Sequence, residues 1–177
     1  AKGNIAPHCQ AAMNYIQKYS RALTEKLIPV YSPTLCLAVY IRNYEKLSDR
    51  LAVVSPCIAK KDEIERPGCE GLVQYSVTFE HLCSALSDIS ETQEAEFEPT
   101  ECGMGRSLPF PGGLGMNMRR FFPTEQTIRE IHGVGYVYDY IGALERQVLK
   151  EGTLPDLIDC MSCSFGCLNG FGMPGHD

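Results

Sequence analysis

Apolar residues recur at helical spacing over residues 10–27, where Met13, Ile16, Leu23 and Leu27 share one face and Gln17, Lys18, Arg21 and Lys26 take the other. The pattern predicts a single amphipathic helix. Ser32-Pro33 supplies another start signal, a capping hydroxyl followed by proline at the first helical position. It opens a helix through about Tyr44 with Leu35, Cys36, Val39 and Tyr40 on the apolar side. Leu51-Ala-Val-Val54 is short and continuously apolar, as expected of a strand buried on both faces of a parallel sheet. Val73, Tyr75, Val77 and Phe79 alternate with polar neighbours and predict a second strand, after which Thr78 caps a short helix through Leu86. The breaker-rich turn at 109–115 precedes a helix from Met116 to Phe122, and Thr127 to Ile131 reads as a strand ending at His132-Gly133. A long helix from Val134 to Lys150 carries Val137, Tyr140, Ile141, Leu144 and Val148 as its core stripe, and Leu157-Ile158 forms the last strand. Strands and helices alternate, so the expected class is α/β, with a mainly parallel sheet flanked by helices.

Composition narrows the function. A chain of 177 residues makes one domain or two small lobes, and the five glutamates within 88–101 mark an internal boundary near 88–105. The net charge of -6 argues against nucleic acid, whose phosphates call for a basic footprint. No apolar run approaches the roughly 20 residues that span a bilayer. No basic segment followed by an apolar stretch opens the chain as a secretory signal does. The expected location is the cytoplasm. There, nine cysteines, an odd number, are read as thiols kept for metal rather than as a disulfide framework.

Three of those cysteines, Cys160, Cys163 and Cys167, crowd one loop near the end of the chain, with a spacing suited to zinc or iron-sulfur ligation. Gly166, Gly170 and Gly172 in the same loop permit close backbone approach to a bulky cofactor, as do Gly112 and Gly113 in the earlier turn. Cys9 falls at a helix N-terminus, where backbone N–H groups favour a thiolate. Cys57 follows the carboxyl end of a strand, the place where open α/β sheets put their ligands. Cys9, Cys57, Cys163 and Cys167 therefore form a four-thiolate set that only the whole fold can assemble. Cys36 is expected in the core, while Cys69 and Cys102 lie in loops without a ligand-spaced partner. His81 is expected to face solvent. A zinc site built from Cys160, Cys163, Cys167 and one further ligand remains an alternative. A Cys9/His8 nucleophile lacks an orienting third group.

Ser55-Pro-Cys-Ile-Ala-Lys-Lys-Asp-Glu63 and Met161-Ser-Cys-Ser-Phe-Gly-Cys-Leu-Asn-Gly-Phe-Gly172 resemble the second and third signature motifs of the iron-iron hydrogenase catalytic domain. Cys9, five residues before Asn14-Tyr-Ile-Gln-Lys-Tyr19, is similar to the first in altered form, and Ser32-Pro33 and the Phe110-Pro-Gly-Gly-Leu turn extend the likeness. The resemblance implies a two-lobed fold with a cofactor between the lobes. That cofactor is the H-cluster: a 4Fe-4S cluster joined to a di-iron subcluster with carbonyl, cyanide and dithiolate-amine ligands. By position, Cys9, Cys57, Cys163 and Cys167 would hold the 4Fe-4S cluster, and Cys167 would bridge to the di-iron unit. Lys60 would hydrogen-bond a cyanide, Glu63 would serve a proton path, and Met161 and Ser55 would lie against the di-iron unit. Cys160 matches no ligand of the family.

Some positions depart from the family pattern. His8 stands where efficient members have a second, proton-passing cysteine, Gln10 replaces a proline and Ser55 a methionine. These changes resemble the divergent, sensory-type branch. The family domain also carries a further segment before its first motif, whereas eight residues precede Cys9 here. The implied activity is reversible H2 activation or H2 sensing, with H2 and protons as substrates. Electrons would come from a redox partner such as ferredoxin or from a fused signalling or iron-sulfur module. The alternative is a hydrogenase-related scaffold that holds only a 4Fe-4S cluster.

Overall fold

A computed structural model of the chain describes residues 4–87, 103–122 and 126–175. The acidic run at 88–101 and Cys102 lie outside them. In chain order the helices are α1 (Gln10–Tyr19), α2 (Arg21–Thr24), α3 (Pro33–Asn43), α4 (Lys60–Ile64), α5 (Phe79–Leu86), α6 (Gly113–Phe121) and α7 (Val134–Glu151). The strands are β1 (Ala52–Ser55), β2 (Tyr75–Thr78), β3 (Ile128–His132), β4 (Leu157–Met161) and β5 (Ser164–Cys167). β1 pairs with β2 and β3 with β4, both in parallel. Parallel neighbours need a crossover, and α4 and α7 lie on the two crossovers. The α/β class with parallel pairing and flanking helices is thus what the chain adopts.

Two cores hold these frames. The first joins the ends of the chain: Ile5, Ile16 and Leu23 pack with Val137, Ile141 and Leu144 of α7 and Ile158 of β4. The second belongs to the middle, where Leu35 and Ala38 of α3 meet Ile64, Cys69 and Val73. Ile16 is completely buried. Ile16→Ala should therefore cost about 2–5 kcal/mol, the range for truncating a large core aliphatic, read as a lower denaturant midpoint at unchanged slope.

Several local expectations change. The helix expected over 10–27 breaks at Ser20, which takes φ -136° and ψ 83°. The Ser20 carbonyl then accepts from the Thr24 amide at 3.1 Å, which starts α2 afresh, and the Thr24 hydroxyl adds a second bond to the same oxygen at 3.1 Å. The strand near 51–54 is not buried on both faces: Val54 is 40% exposed, because the pair β1–β2 is a two-stranded ribbon among the described residues. Cys36 is exposed rather than in the core, since the buried stripe of α3 runs through Leu35 and Ala38. Leu157-Ile158 is not the last strand either, as β5 follows it. Thr78 does cap α5, accepting from the His81 amide at 3.2 Å, and His81 is exposed.

Candidate metal centre

A parallel bridge at Ile5 decides where Cys9 goes. Ile5 pairs with both Leu27 and Ile158, the Ala6 amide donating to the Ile158 carbonyl at 3.0 Å and the Ile158 amide to the Asn4 carbonyl at 2.7 Å. The chain leaves Ile5 in the direction of β4, so Cys9, the N-cap of α1, arrives beside the residues that follow that strand. There the Ser162 amide donates to Cys9 Sγ at 3.4 Å. Cys57 comes from the other frame, just past β1, where its amide donates to Ser55 Oγ at 3.3 Å. The Cys163–Cys167 loop is tied to both surroundings. The Cys167 amide donates to the Pro109 carbonyl at 2.8 Å, and the Gly172 amide donates to the Pro56 carbonyl at 2.9 Å.

Glycine makes these approaches feasible. A Cβ on Gly170 would lie 2.1 Å from the Pro56 oxygen, and one on Gly166, at φ +72°, would lie 2.3 Å from the Pro109 oxygen. A Cβ on Gly172 would lie 2.8 Å from Thr78 Cγ2. The tightest contacts of these glycines are with Pro56, Pro109 and Thr78, and Gly166 and Gly170 also line the cavity between the segments.

A cavity of about 390 Å³ lies where the segments meet, lined by Cys9, Cys57, Cys163 and Cys167 together with His8, Lys60 and Met161. Its walls come from both frames, and the Asn14 amide reaches across them to Asp62 Oδ2 at 2.6 Å. Burial pushes the Cys163 thiol up to about 11 and the Cys167 thiol up to about 12, with the Cys9 and Cys57 thiols adding to both shifts. Burial raises Cys57 as well; hydrogen bonding from the Ala59 amide and the charge of Lys60 oppose it. Four thiols around a common space suit a polynuclear centre, with one thiolate at each iron corner. Among the described residues, no three His, Cys, Asp or Glu side chains close on a single ion position.

The other predicted site residues spread out. Lys60 forms a buried ion pair with Glu63, which is 1% exposed and lies outside the cavity lining. Ser55 acts on the Cys57 backbone rather than lining the cavity. Gly112 and Gly113 also stay off the lining: a Cβ on the first would meet Glu130 Oε2, and one on the second the Ser107 carbonyl. Cys160 belongs to the first core, where burial pushes its thiol up to about 12. This separates Cys160 from the cavity and divides the zinc set of Cys160, Cys163 and Cys167.

Asp159 was not singled out from the sequence. It is 1% exposed, and its Oδ1 lies 2.9 Å from His8 Nε2. That separation fits an ion pair, but the alignment does not make a hydrogen bond. Both imidazole nitrogens and both carboxylate oxygens therefore lack a hydrogen-bond partner among the described residues. The one available signal was a lone acid inside the apolar run 157–161. Tyr138, another lining residue, shares a hydrogen bond of 2.8 Å with Ser162 Oγ.

The donor set thus fits an iron-sulfur cluster: four thiols from three separate segments around one cavity, with a fixed ammonium beside them. Solved [FeFe]-hydrogenase structures share the fold. One, of HydA(ΔEFG), described as revealing stepwise H-cluster assembly, matches with a TM-score of 0.66 at 16% identity over 97% of this chain and 61% of that one. The apo HydA1 of Chlamydomonas reinhardtii, in a cysteine-to-histidine variant, matches with a TM-score of 0.62 at 14% identity over the same shares. The chain thus spans about three fifths of the length of these structures. It matches none of the curated proteins. The family model described as the iron only hydrogenase large subunit, C-terminal domain, matches residues 3–171, and the chain belongs to that family.

Proposed function

We propose that Cys9, Cys57, Cys163 and Cys167 hold a 4Fe-4S cluster, that a di-iron subcluster attaches through Cys167, and that the chain serves reversible H2 activation or H2 sensing. The observation that carries this reading is the convergence of those thiols on one cavity that also presents His8, Lys60 and Met161. When bound, the cofactor would supply heterolytic H2 chemistry and a store for an electron. The chain's own residues bind, orient and shield. The Lys60 ammonium, 12% exposed and anchored by Glu63, offers a fixed positive charge to an anionic ligand. Met161, 2% exposed, contributes a polarisable thioether to the wall. His8 replaces the expected thiol at the proton-handling position, with Asp159 Oδ1 2.9 Å from its Nε2. The proposed setting is the cytoplasm, with electrons supplied by a separate carrier.

A second reading, a scaffold for the 4Fe-4S cluster alone, is favoured by one observation: Gly112 and Gly113 pack on Glu130 and Ser107 instead of facing the cavity. Anaerobic iron-sulfur reconstitution followed by a synthetic di-iron complex separates the two. The expected result is a set of sharp infrared bands from bound carbonyl and cyanide. Brown protein without them would leave the scaffold reading, and colourless, iron-free protein would end both.

A further inference from the structure

The peptide unit between Met161 and Ser162, at the cavity wall, is gripped from several directions. The Met161 carbonyl accepts from the Gly133 amide at 3.0 Å, and the Ser162 amide of the same peptide donates to Cys9 Sγ at 3.4 Å. The hydroxyl of Ser162, a residue 6% exposed, shares a hydrogen bond of 2.8 Å with the hydroxyl of Tyr138. Gly133 is the N-cap of α7 and Tyr138 lies in its second turn, so one helix holds both the carbonyl oxygen and the neighbouring side chain. That helix is itself fixed. The Tyr138 ring rests on Tyr15 of α1 with centroids 4.5 Å apart, and the adjacent Val137 is completely buried in the first core.

A planar trans peptide points its N–H away from its C=O, so holding the Met161 oxygen on one side aims the Ser162 N–H to the other, at the Cys9 sulfur. The oxygen anchor alone leaves the peptide plane free to rock. The Tyr138–Ser162 bond pins its far side. We propose that Tyr138 is a positioning residue that, through Ser162, keeps this N–H on the Cys9 sulfur and thereby sets the reduction potential of the cluster. The proposal rests on the reading of the cavity as an iron-sulfur site. An electron added to such a cluster spreads negative charge onto its thiolate ligands, and an N–H aimed at a ligand sulfur favours that more negative state. A well-held N–H therefore raises the potential, and a loosened one lowers it.

The test uses the full chain reconstituted with a 4Fe-4S cluster alone and titrated with dithionite in the presence of redox mediators, the cluster absorbance reporting the midpoint. Dithionite supplies the one electron that each cluster takes up. Tyr138→Phe keeps the ring on Tyr15 and removes only the hydroxyl. It is expected to lower the midpoint potential, shifting the one-electron equilibrium about threefold to tenfold toward the oxidised cluster, where tenfold is about 59 mV. Ser162→Ala keeps the amide but loses the same bond, so it should shift the potential alike, and the double variant should go no further than either single one. Tyr15→Phe deletes a hydroxyl from the neighbouring ring and should leave the potential where it is. Unchanged potentials in Tyr138→Phe and Ser162→Ala, additive shifts in the double variant, or an equal shift in Tyr15→Phe would overturn the assignment. Should Tyr138→Phe lose its cluster, an unchanged potential in Ser162→Ala is enough to overturn it. A wild type that takes up no cluster would instead refute the iron-sulfur reading, and this proposal with it.

Discussion

Cys57→Ala should fold and yet retain almost no iron, falling from about four atoms per chain after reconstitution to background. Of the four proposed ligands only Cys57 comes from the β1–β2 frame, so the other three thiols would close only part of the cavity. Folding should survive. Burial raises the Cys57 thiol, so near neutral pH the apo side chain is a neutral group whose removal leaves no charge stranded. Cys160→Ala should do the reverse. That side chain is 1% exposed in the first core, away from the cavity, so the variant should keep its iron while losing on the order of 1 kcal/mol of stability. Iron content and thermal melting of the two variants, measured side by side, form the check. If Cys160→Ala lost its cluster and Cys57→Ala kept it, the ligand set would be wrong.

That contrast marks how far the sequence could be read. Within the crowded loop, spacing alone admits Cys160 as readily as Cys163, because a ligand and a core thiol look alike in a string of letters. Their separation comes from β4, which is buried along its whole length, turns Ile158 and Cys160 into the first core and reaches the cavity wall only at Met161. The resemblance to signature motifs picked out Cys9, Cys57, Cys163 and Cys167, and the fold brings them to one cavity. Helical periodicity located α7 and its stripe because the driving contact is repetitive and local. It did not show the break at Ser20, whose backbone leaves the helical region at φ -136° and ψ 83°. The glycines of the ligand loop were recognised as places of close approach, but what they approach, Pro56, Pro109 and Thr78, depends on pairings across the chain. The His8–Asp159 contact was likewise invisible, since it joins residues 151 positions apart through the bridge at Ile5.

Glu63→Ala should be among the most damaging substitutions outside the ligands, costing about 3–5 kcal/mol, the range for breaking a buried ion pair by removing one partner. Glu63 is 1% exposed, and Lys60 is 12% exposed with its ammonium turned to the carboxylate. Removing the acid strands a cation beside four half-buried thiols and frees a side chain that the geometry otherwise fixes at the cavity wall. Two effects then follow from one change: a lower unfolding midpoint, and a lysine no longer held in place for an anionic cofactor ligand. The double variant Lys60→Met with Glu63→Leu separates them. Replacing the whole pair by apolar groups removes the stranded charge, so most of the lost stability should return, as buried pairs exchanged for hydrophobic residues commonly allow. The cavity would still lack its ammonium. Denaturant unfolding of the apo forms should therefore rank the wild type and the double variant close together, with Glu63→Ala well below both. Affinity for the anionic di-iron complex should be weakened in both variants. Recovered stability with unrecovered binding would assign Glu63 the task of holding Lys60 at the wall; binding restored by Lys60→Met with Glu63→Leu would show that the ammonium is not needed there.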